Sequence, residues 1–340
     1  MKIMRRLIPL ALAISMLAGC AQGAGGASSE SMDLSEMYVD RVTMEEVEIE
    51  DEAVALAGAP AALNDMILPV ASGTLVKQNS RATIDYSNTK DGYVMVNFTG
   101  TTNTRLKVLV RGPSYAASKL QYQYDIATGQ WYTFPLSDGN GEYTVSVMEN
   151  TTDSKYAQVL SVKFTVSLSD EFAPFLRPNQ YVDYASAPKT VAKAAELAGS
   201  ETDPLKLVEK VYDYVVKNFT YDKQLAATVQ SGYLPVLDNV LAAKKGICFD
   251  YAGLMTGMLR SLGVPCKLIT GYVPIGSGKT GYHAWISVYS EENGWVEGAI
   301  YFDGSAWQRM DPTFASSSNN SDSILQYIGD GSNYSVKYIY

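Results

Sequence analysis

The chain has 340 residues, 46% hydrophobic and 19% charged, a globular composition long enough for two domains of ordinary size. Its 27 basic and 36 acidic residues give a formal charge of −9, which argues against nucleic acid as a partner and against a polybasic membrane contact. Beyond the N-terminus there is no apolar run of roughly eighteen residues, so a polytopic membrane protein is excluded.

The first segment carries Lys2, Arg5 and Arg6, an apolar stretch from Leu7 to Leu17, and then Leu17-Ala18-Gly19-Cys20. A positive start followed by a short apolar core predicts an export signal over residues 1–19, not a spanning helix. The ending resembles a bacterial lipobox, which implies that Cys20 is lipidated and holds an extracytoplasmic protein at the cell membrane. Loss of residues 1–19 leaves 24 basic against 36 acidic residues, a balance of −12. The anchor would then be lipid, at about 0.8 kcal/mol per buried CH₂, and not electrostatic. Residues 20–81 are rich in Gly, Ala, Ser and acid, with the run Glu45-Glu46-Val47-Glu48-Ile49-Glu50-Asp51-Glu52. They hold too little apolar surface to offset the entropy of ordering, and read as an acidic flexible tether. The alternative is a pro-segment that folds over a cleft.

Residues 82–170 change character. Val94, Val96 and Phe98; Leu106, Val108 and Val110; Leu120, Tyr122, Tyr124 and Ile126; Tyr143, Val145 and Val147; and Val162, Phe164, Val166 and Leu168 each alternate with other residues. Short strands at this spacing predict an all-β sandwich resembling an immunoglobulin-like module. Asp138-Gly139-Asn140-Gly141 lies between two strand patterns and lacks further carboxylates at calcium-loop spacing, so a hairpin turn is expected there. A connector over 171–202, containing Pro174, Pro178 and Pro188, leads to a second domain over 203–315.

In that domain Asp203-Pro204 supplies an N-cap and a first-turn proline, and Leu205, Val208, Val211, Val215 and Phe219 mark the buried face of a long helix. A short helix is expected around Pro235 to Ala243. After Gly246, the residues Phe249, Ala252, Met255, Leu259 and Leu262 recur at helical spacing until Gly263 and Pro265, so Cys248 falls in a first turn. A strand follows over Cys266–Val273. His283-Ala284-Trp285-Ile286-Ser287-Val288-Tyr289 reads as another strand, with His283, Trp285, Ser287 and Tyr289 on one face. A last run, Ala306 to Asp311, puts Trp307, Arg309 and Asp311 on one face before Pro312. Asp303-Gly304 reads as a hairpin turn, which favours Asp311 over Asp303 as a partner for the histidine. Residues 316–340 form a Ser- and Asn-rich, then Tyr- and Ile-rich, tail with no assigned role.

These residue types point to thiol chemistry. A helix N-terminus presents unpaired N–H groups and positive potential, which favours thiolate at Cys248 and an oxyanion beside it. A thiolate nucleophile needs a base and a group to orient that base. His283 is the chain's single histidine, and Asp311 reaches it if the two strands pair. Tyr233 and Gln230 are further candidates for an oxyanion donor, though the spacing establishes neither. Competing readings are a Cys248–Cys266 disulfide, which an oxidising compartment permits, and Cys266 as a small buried hydrophobe. One histidine and no clustered thiols leave no zinc site of usual composition. No Gly-rich phosphate loop occurs, so no cofactor is called for.

Gly246-Ile247-Cys248-Phe249-Asp250-Tyr251-Ala252, Leu259-Arg260-Ser261-Leu262-Gly263-Val264-Pro265, Gly271-Tyr272, His283-Ala284-Trp285-Ile286-Ser287-Val288-Tyr289 and Trp307-Gln308-Arg309-Met310-Asp311-Pro312-Thr313 together resemble the core domain of the transglutaminase-like superfamily. The resemblance implies an α+β, papain-like fold behind the β-sandwich. It implies Cys248 as nucleophile, His283 as general base and acid, and Asp311 as the orienting carboxylate. The expected activity is acyl transfer from amide bonds of proteins or peptides at the cell surface, to an amine or to water. The alternatives are a cysteine peptidase of surface proteins or wall peptides, or an inactive binding and scaffolding lipoprotein. The oligomeric state is not readable.

Overall fold

The computed structural model describes residues 66–274, 280–290, 294–297, 300–302, 307–309 and 334–340. The expected export signal, Cys20, residues 21–65 of the tether, the Asp303-Gly304 turn and Asp311 lie outside them.

The N-terminal unit contains β1 (Val76–Gln78), β2 (Ala82–Asp85), β3 (Tyr93–Phe98), β4 (Leu106–Arg111), β5 (Tyr122–Ile126), β6 (Trp131–Pro135), β7 (Gly141–Thr152) and β8 (Lys155–Val166), with a single-turn helix α1 (Tyr115–Ser118) between β4 and β5. They form two four-stranded antiparallel sheets, ordered β1-β2-β3-β6 and β5-β4-β7-β8. The alternation read from sequence is what joins them. Val94, Val96 and Phe98 of one sheet and Val108, Val110, Tyr124 and Val145 of the other are buried in one cluster, and Tyr124 meets Phe134 with ring centroids 4.7 Å apart.

Two expectations are corrected here. The sandwich begins before residue 82: β1 pairs with β2, and the Val70 N–H donates to the Tyr93 hydroxyl at 3.1 Å. The stretch around Asp138 is not a hairpin turn, because β6 and β7 belong to different sheets. It is a crossover, and the Asp138 carboxylate accepts from the Ser114 N–H at 2.7 Å. Turn-forming residues show that the chain reverses, not which sheet takes the next strand.

On the outer face of the second sheet, Lys107 stands opposite Asp125, is 3% exposed, and has its Nζ 5.2 Å from the Tyr156 ring. Burial pushes the Asp125 carboxyl up from 3.8 to about 6, against the pull of Lys107 and Arg105. Between those values the folded protein holds a proton that the unfolded chain has released, so stability falls as pH rises through that window. At about 1.4 kcal/mol per pH unit the effect is on the order of 3 kcal/mol at most. Asp125→Asn is expected to lose this slope in denaturant unfolding between about pH 4 and about pH 6.5. The same slope in variant and wild type would contradict it.

The second unit is α+β. Its helices are α2 (Pro188–Ala198), α3 (Pro204–Asn218), α4 (Lys223–Thr228), α5 (Leu237–Ala243) and α6 (Cys248–Ser261). Its strands are β9 (Thr220–Tyr221), β10 (Lys245–Gly246), β11 (Cys266–Pro274), β12 (Thr280–Ser290), β13 (Gly294–Glu297), β14 (Ile300–Phe302), β15 (Trp307–Arg309) and β16 (Ser335–Ile339). The main sheet is ordered β13-β12-β11-β16. α6 packs on β11 and β12, and meets α2, α3 and α5 as well. Its Leu254, Met255, Met258 and Leu259 are fully buried, each contributing about 1.5–3 kcal/mol by burial. Among the described residues no helix is long and apolar enough to cross a membrane.

The expected connector over 171–202 hides α2, whose Pro188 occupies a first-turn position and whose Val191, Ala194 and Ala198 face the core. The second unit therefore starts ahead of residue 203. The long helix α3 starts where expected, with Asp203 accepting from the Leu205 and Lys206 amides, but its buried face is Leu207, Val208, Val211, Tyr212 and Val215, and Leu205 is only half-buried. Of the run that leads to Asp311, the described residues Trp307–Arg309 do not pair with the His283 strand. β15 pairs with β14 in a separate two-stranded sheet.

The last described segment joins both units. β16 pairs with β11, and Tyr340 stacks on Tyr181 at 4.2 Å and meets Tyr122 and Tyr124 of β5 edge-on at 5.7 and 6.2 Å. Tyr181 in turn lies 5.8 Å from Phe249, the residue after Cys248.

Candidate active site

The approach to Cys248 is built by short-range constraints. β10 pairs in parallel with β9, and the Asp222 N–H donates to the Gly246 carbonyl at 2.8 Å. A Cβ on Gly246 would fall 2.5 Å from Cβ of Asp250, so the chain passes too close to the coming helix for any side chain. Ile247, in extended conformation, is the N-cap of α6, and its carbonyl accepts the first helical bond from the Tyr251 N–H at 3.1 Å. Its own N–H donates to Asp250 Oδ2 at 2.8 Å, the N3-to-N-cap half of a capping box.

Cys248 is the first residue of α6 and is 7% exposed. Its helix N-terminus is the setting in which amides and dipole favour an anion. Neither Cys248 nor Cys266 is in a disulfide, so the disulfide reading fails. Cys266 donates to Thr256 Oγ1 at 3.6 Å, and burial pushes its thiol up to about 11. It is the small buried residue expected of it.

His283 is 3% exposed on β12, opposite Gly271 of β11. Ala284, Ile286 and Val288 of β12 belong to the core cluster that contains Cys248. His283 and Trp285 lie on the other face, their rings 6.2 Å apart and nearly parallel, and Trp285 is buried with Ile269 and Val273. Tyr334 closes this arrangement, edge-on to Trp285 at 5.0 Å and 6.5 Å from His283. Gly271 leaves room for it, since a Cβ there would sit 2.1 Å from the Ser335 carbonyl and 2.8 Å from Trp285.

The structure packs the Cys248 helix on the face of β12 that carries Ala284, Ile286 and Val288, with His283 on the opposite face of that strand, while Asp311 lies outside the described residues and β15 before it joins β14. Tyr233 is not a spare oxyanion donor, because its hydroxyl donates to Asp250 Oδ1 at 2.6 Å. Gln230 donates to the Thr228 carbonyl at 2.9 Å. Sequence reasoning missed Asp250 and Tyr334. An acid three residues past an N-cap was a readable signal for the first; the second depends on a strand pairing that no local pattern encodes.

The family model of the transglutaminase-like superfamily matches residues 191–312, and a transglutaminase-like domain therefore occupies that part of the chain. A protein-glutamine gamma-glutamyltransferase of Pseudomonas aeruginosa is 29% identical over 119 residues, 32% of this chain; the match spans only 17% of that protein's length. An uncharacterised protein of Mycobacterium leprae is 26% identical over 244 residues, 67% of this chain and 77% of the other. Among solved structures, the periplasmic domain of TgpA from Pseudomonas aeruginosa is similar over 74% of this chain and 100% of its own, with 17% identity and a TM-score of 0.32.

Proposed function

We propose that this chain is an extracytoplasmic, membrane-anchored thiol acyl-transfer enzyme acting on amide bonds of proteins or peptides, with Cys248 as nucleophile, His283 as general base and acid, Asp311 as its orienting carboxylate, and Cys20 as the lipid attachment. The observation that carries it is Cys248 as first residue of a buried helix packed on the strand that holds the chain's single histidine.

Cys248 transfers its proton to His283, and the thiolate adds to the amide carbonyl carbon. The oxyanion that forms is held by amides at the start of α6. The intermediate collapses to a thioester as the C–N bond breaks and the imidazolium returns its proton to the departing amine, ammonia when the substrate is a glutamine side chain. An amine or water then attacks the thioester, giving its proton to His283, and the thiolate leaves. In this reading the sandwich positions or recognises the substrate. The Pseudomonas aeruginosa relative is named for protein glutamine, which makes that side chain the first substrate to offer.

The test compares the protein with Cys248→Ala on a glutamine-containing protein, with and without a primary amine, following ammonia, amine incorporation and new amino termini by mass spectrometry. Ammonia with incorporation identifies transamidation, ammonia alone deamidation, and new termini peptide-bond cleavage. Each signal is expected to vanish in Cys248→Ala, and a signal that survives the substitution would contradict the proposal.

A further inference from the structure

We infer that Tyr233 and Asp250 are a positioning pair for Cys248, fixing the backbone immediately ahead of the thiol from a loop that lies outside the helix. The inference rests on the reading of Cys248 as nucleophile.

Tyr233 belongs to the loop between α4 and α5, and Asp250 to the first turn of α6. One carboxylate oxygen accepts from the Tyr233 hydroxyl at 2.6 Å and the other from the Ile247 N–H at 2.8 Å. Each end of the carboxylate is therefore used, and the group is 1% exposed. Its Cβ lies against Gly246, so the strand end, the N-cap and the loop meet at this one side chain.

Other helices of the same unit solve their N-termini differently. Asp203 of α3 and Asp222 of α4 each accept from two first-turn amides. Ile247 has no side-chain acceptor, so at α6 the acceptor comes from inside the helix and takes the amide ahead of Cys248. A nearly inaccessible carboxylate is costly unless its oxygens are satisfied, and here Tyr233 satisfies the second oxygen. A cap supplied by Ser or Asp at position 247 would need neither the burial nor the loop. What the present arrangement adds is a fixed direction for the amide preceding the thiol, and with it for the turn that would hold thiolate and oxyanion. Among the described residues the charged group facing the pair is Asp222, which is itself ion-paired with Lys245 at 3.1 Å. Burial and Asp222 push the Asp250 carboxyl up, while the Tyr233 and Ile247 hydrogen bonds hold it down.

The readout is the rate of iodoacetamide labelling at Cys248, followed peptide by peptide by mass spectrometry across pH in the intact protein, with thermal unfolding beside it. Tyr233→Phe keeps the ring and removes the hydroxyl. It is expected to move the labelling midpoint up by about one pH unit and to slow labelling near neutral pH about tenfold. Asp250→Asn keeps an acceptor for the Ile247 N–H and is expected to label within about threefold of wild type, whereas Asp250→Ala slows at least as much as Tyr233→Phe. A Tyr233→Phe protein that melts earlier but labels along the wild-type profile would overturn the inference, as would an Asn variant that falls with the Ala variant. Amide turnover measured against Cys248→Ala judges the enzyme reading separately. A silent wild type whose variants still show displaced midpoints retires that reading and leaves the pair's effect on the thiol standing.

Discussion

Replacing His283 by alanine is expected to lower amide turnover by about a thousandfold or more, with Cys248 still present and the fold intact. Two steps of the proposed cycle need the same imidazole, once to take the thiol proton and once to deliver it to the leaving amine. No second histidine exists to replace it. The ring is held from one side by Trp285, itself backed by Tyr334 and buried with Ile269 and Val273, so the substitution opens space beside a packed indole without uncovering the core shared with α6. The loss should therefore fall on kcat more than on KM. Steady-state ammonia release from a glutamine peptide checks this, and turnover within about tenfold of wild type would remove His283 from the chemistry. Added imidazole should restore part of the rate, because the cavity left by the side chain has the dimensions of the missing base.

Arg260→Met is expected to cost about 3–5 kcal/mol of stability, the largest effect of any single change outside the site. Arg260, near the far end of α6, is 2% exposed, and its guanidinium donates to three backbone carbonyls: Cys266 at 2.9 Å, Arg177 at 2.8 Å and Tyr340 at 2.6 Å. Those carbonyls belong to the start of β11, to the segment leading out of the sandwich, and to the residue after β16. Methionine reproduces the stem but removes the guanidinium from all three; the Tyr340 carbonyl keeps the Leu268 N–H at 3.0 Å, and each carbonyl left unpaired costs about 1–3 kcal/mol before relaxation. Lysine is no substitute, since one ammonium cannot reproduce the planar fork. Burial lowers the Arg260 pKa to about 10, so the contacts persist across the neutral range. Denaturant unfolding monitored by tryptophan fluorescence measures the effect, and a loss below about 1 kcal/mol would show that water replaces the guanidinium.

What could be read from sequence divides along the range of the interaction. The helix from Cys248, the cap at Asp203 and the alternating strands around Val94, Val108, Tyr124 and Val145 follow from spacing and capping, which are properties of a few consecutive residues. β1, β2 and β6 were missed because they are short, and Trp131–Pro135 does not alternate between buried and exposed. α2 was hidden by prolines that read as a connector, although Pro188 was itself a start signal. The placement of β15 failed for a different reason. Its face pattern was consistent with pairing to β12, but a pattern specifies a face and not a neighbour, and β14 is the nearer partner in the chain. The helix start at Cys248 and the strand that holds His283 were legible from spacing and alternation, and the chemistry proposed for the two residues is read from their types. Tyr233 and Asp250 were less so, since their meeting depends on how a loop closes.

The tyrosine junction also bears on the order in which the chain can fold. Tyr122 accepts from the Ile339 N–H at 3.4 Å across 217 residues of sequence, and Tyr338 and Tyr340 pack against the Tyr122 and Tyr124 rings of β5. Contacts of such separation carry a large loop-closure entropy and form late. The sandwich sheets, built from neighbouring strands, can assemble as the chain emerges, while the sheet bearing His283 waits for β16 on its edge. Among the described residues, the sheet that carries His283 would therefore reach its final surroundings after the sandwich has formed.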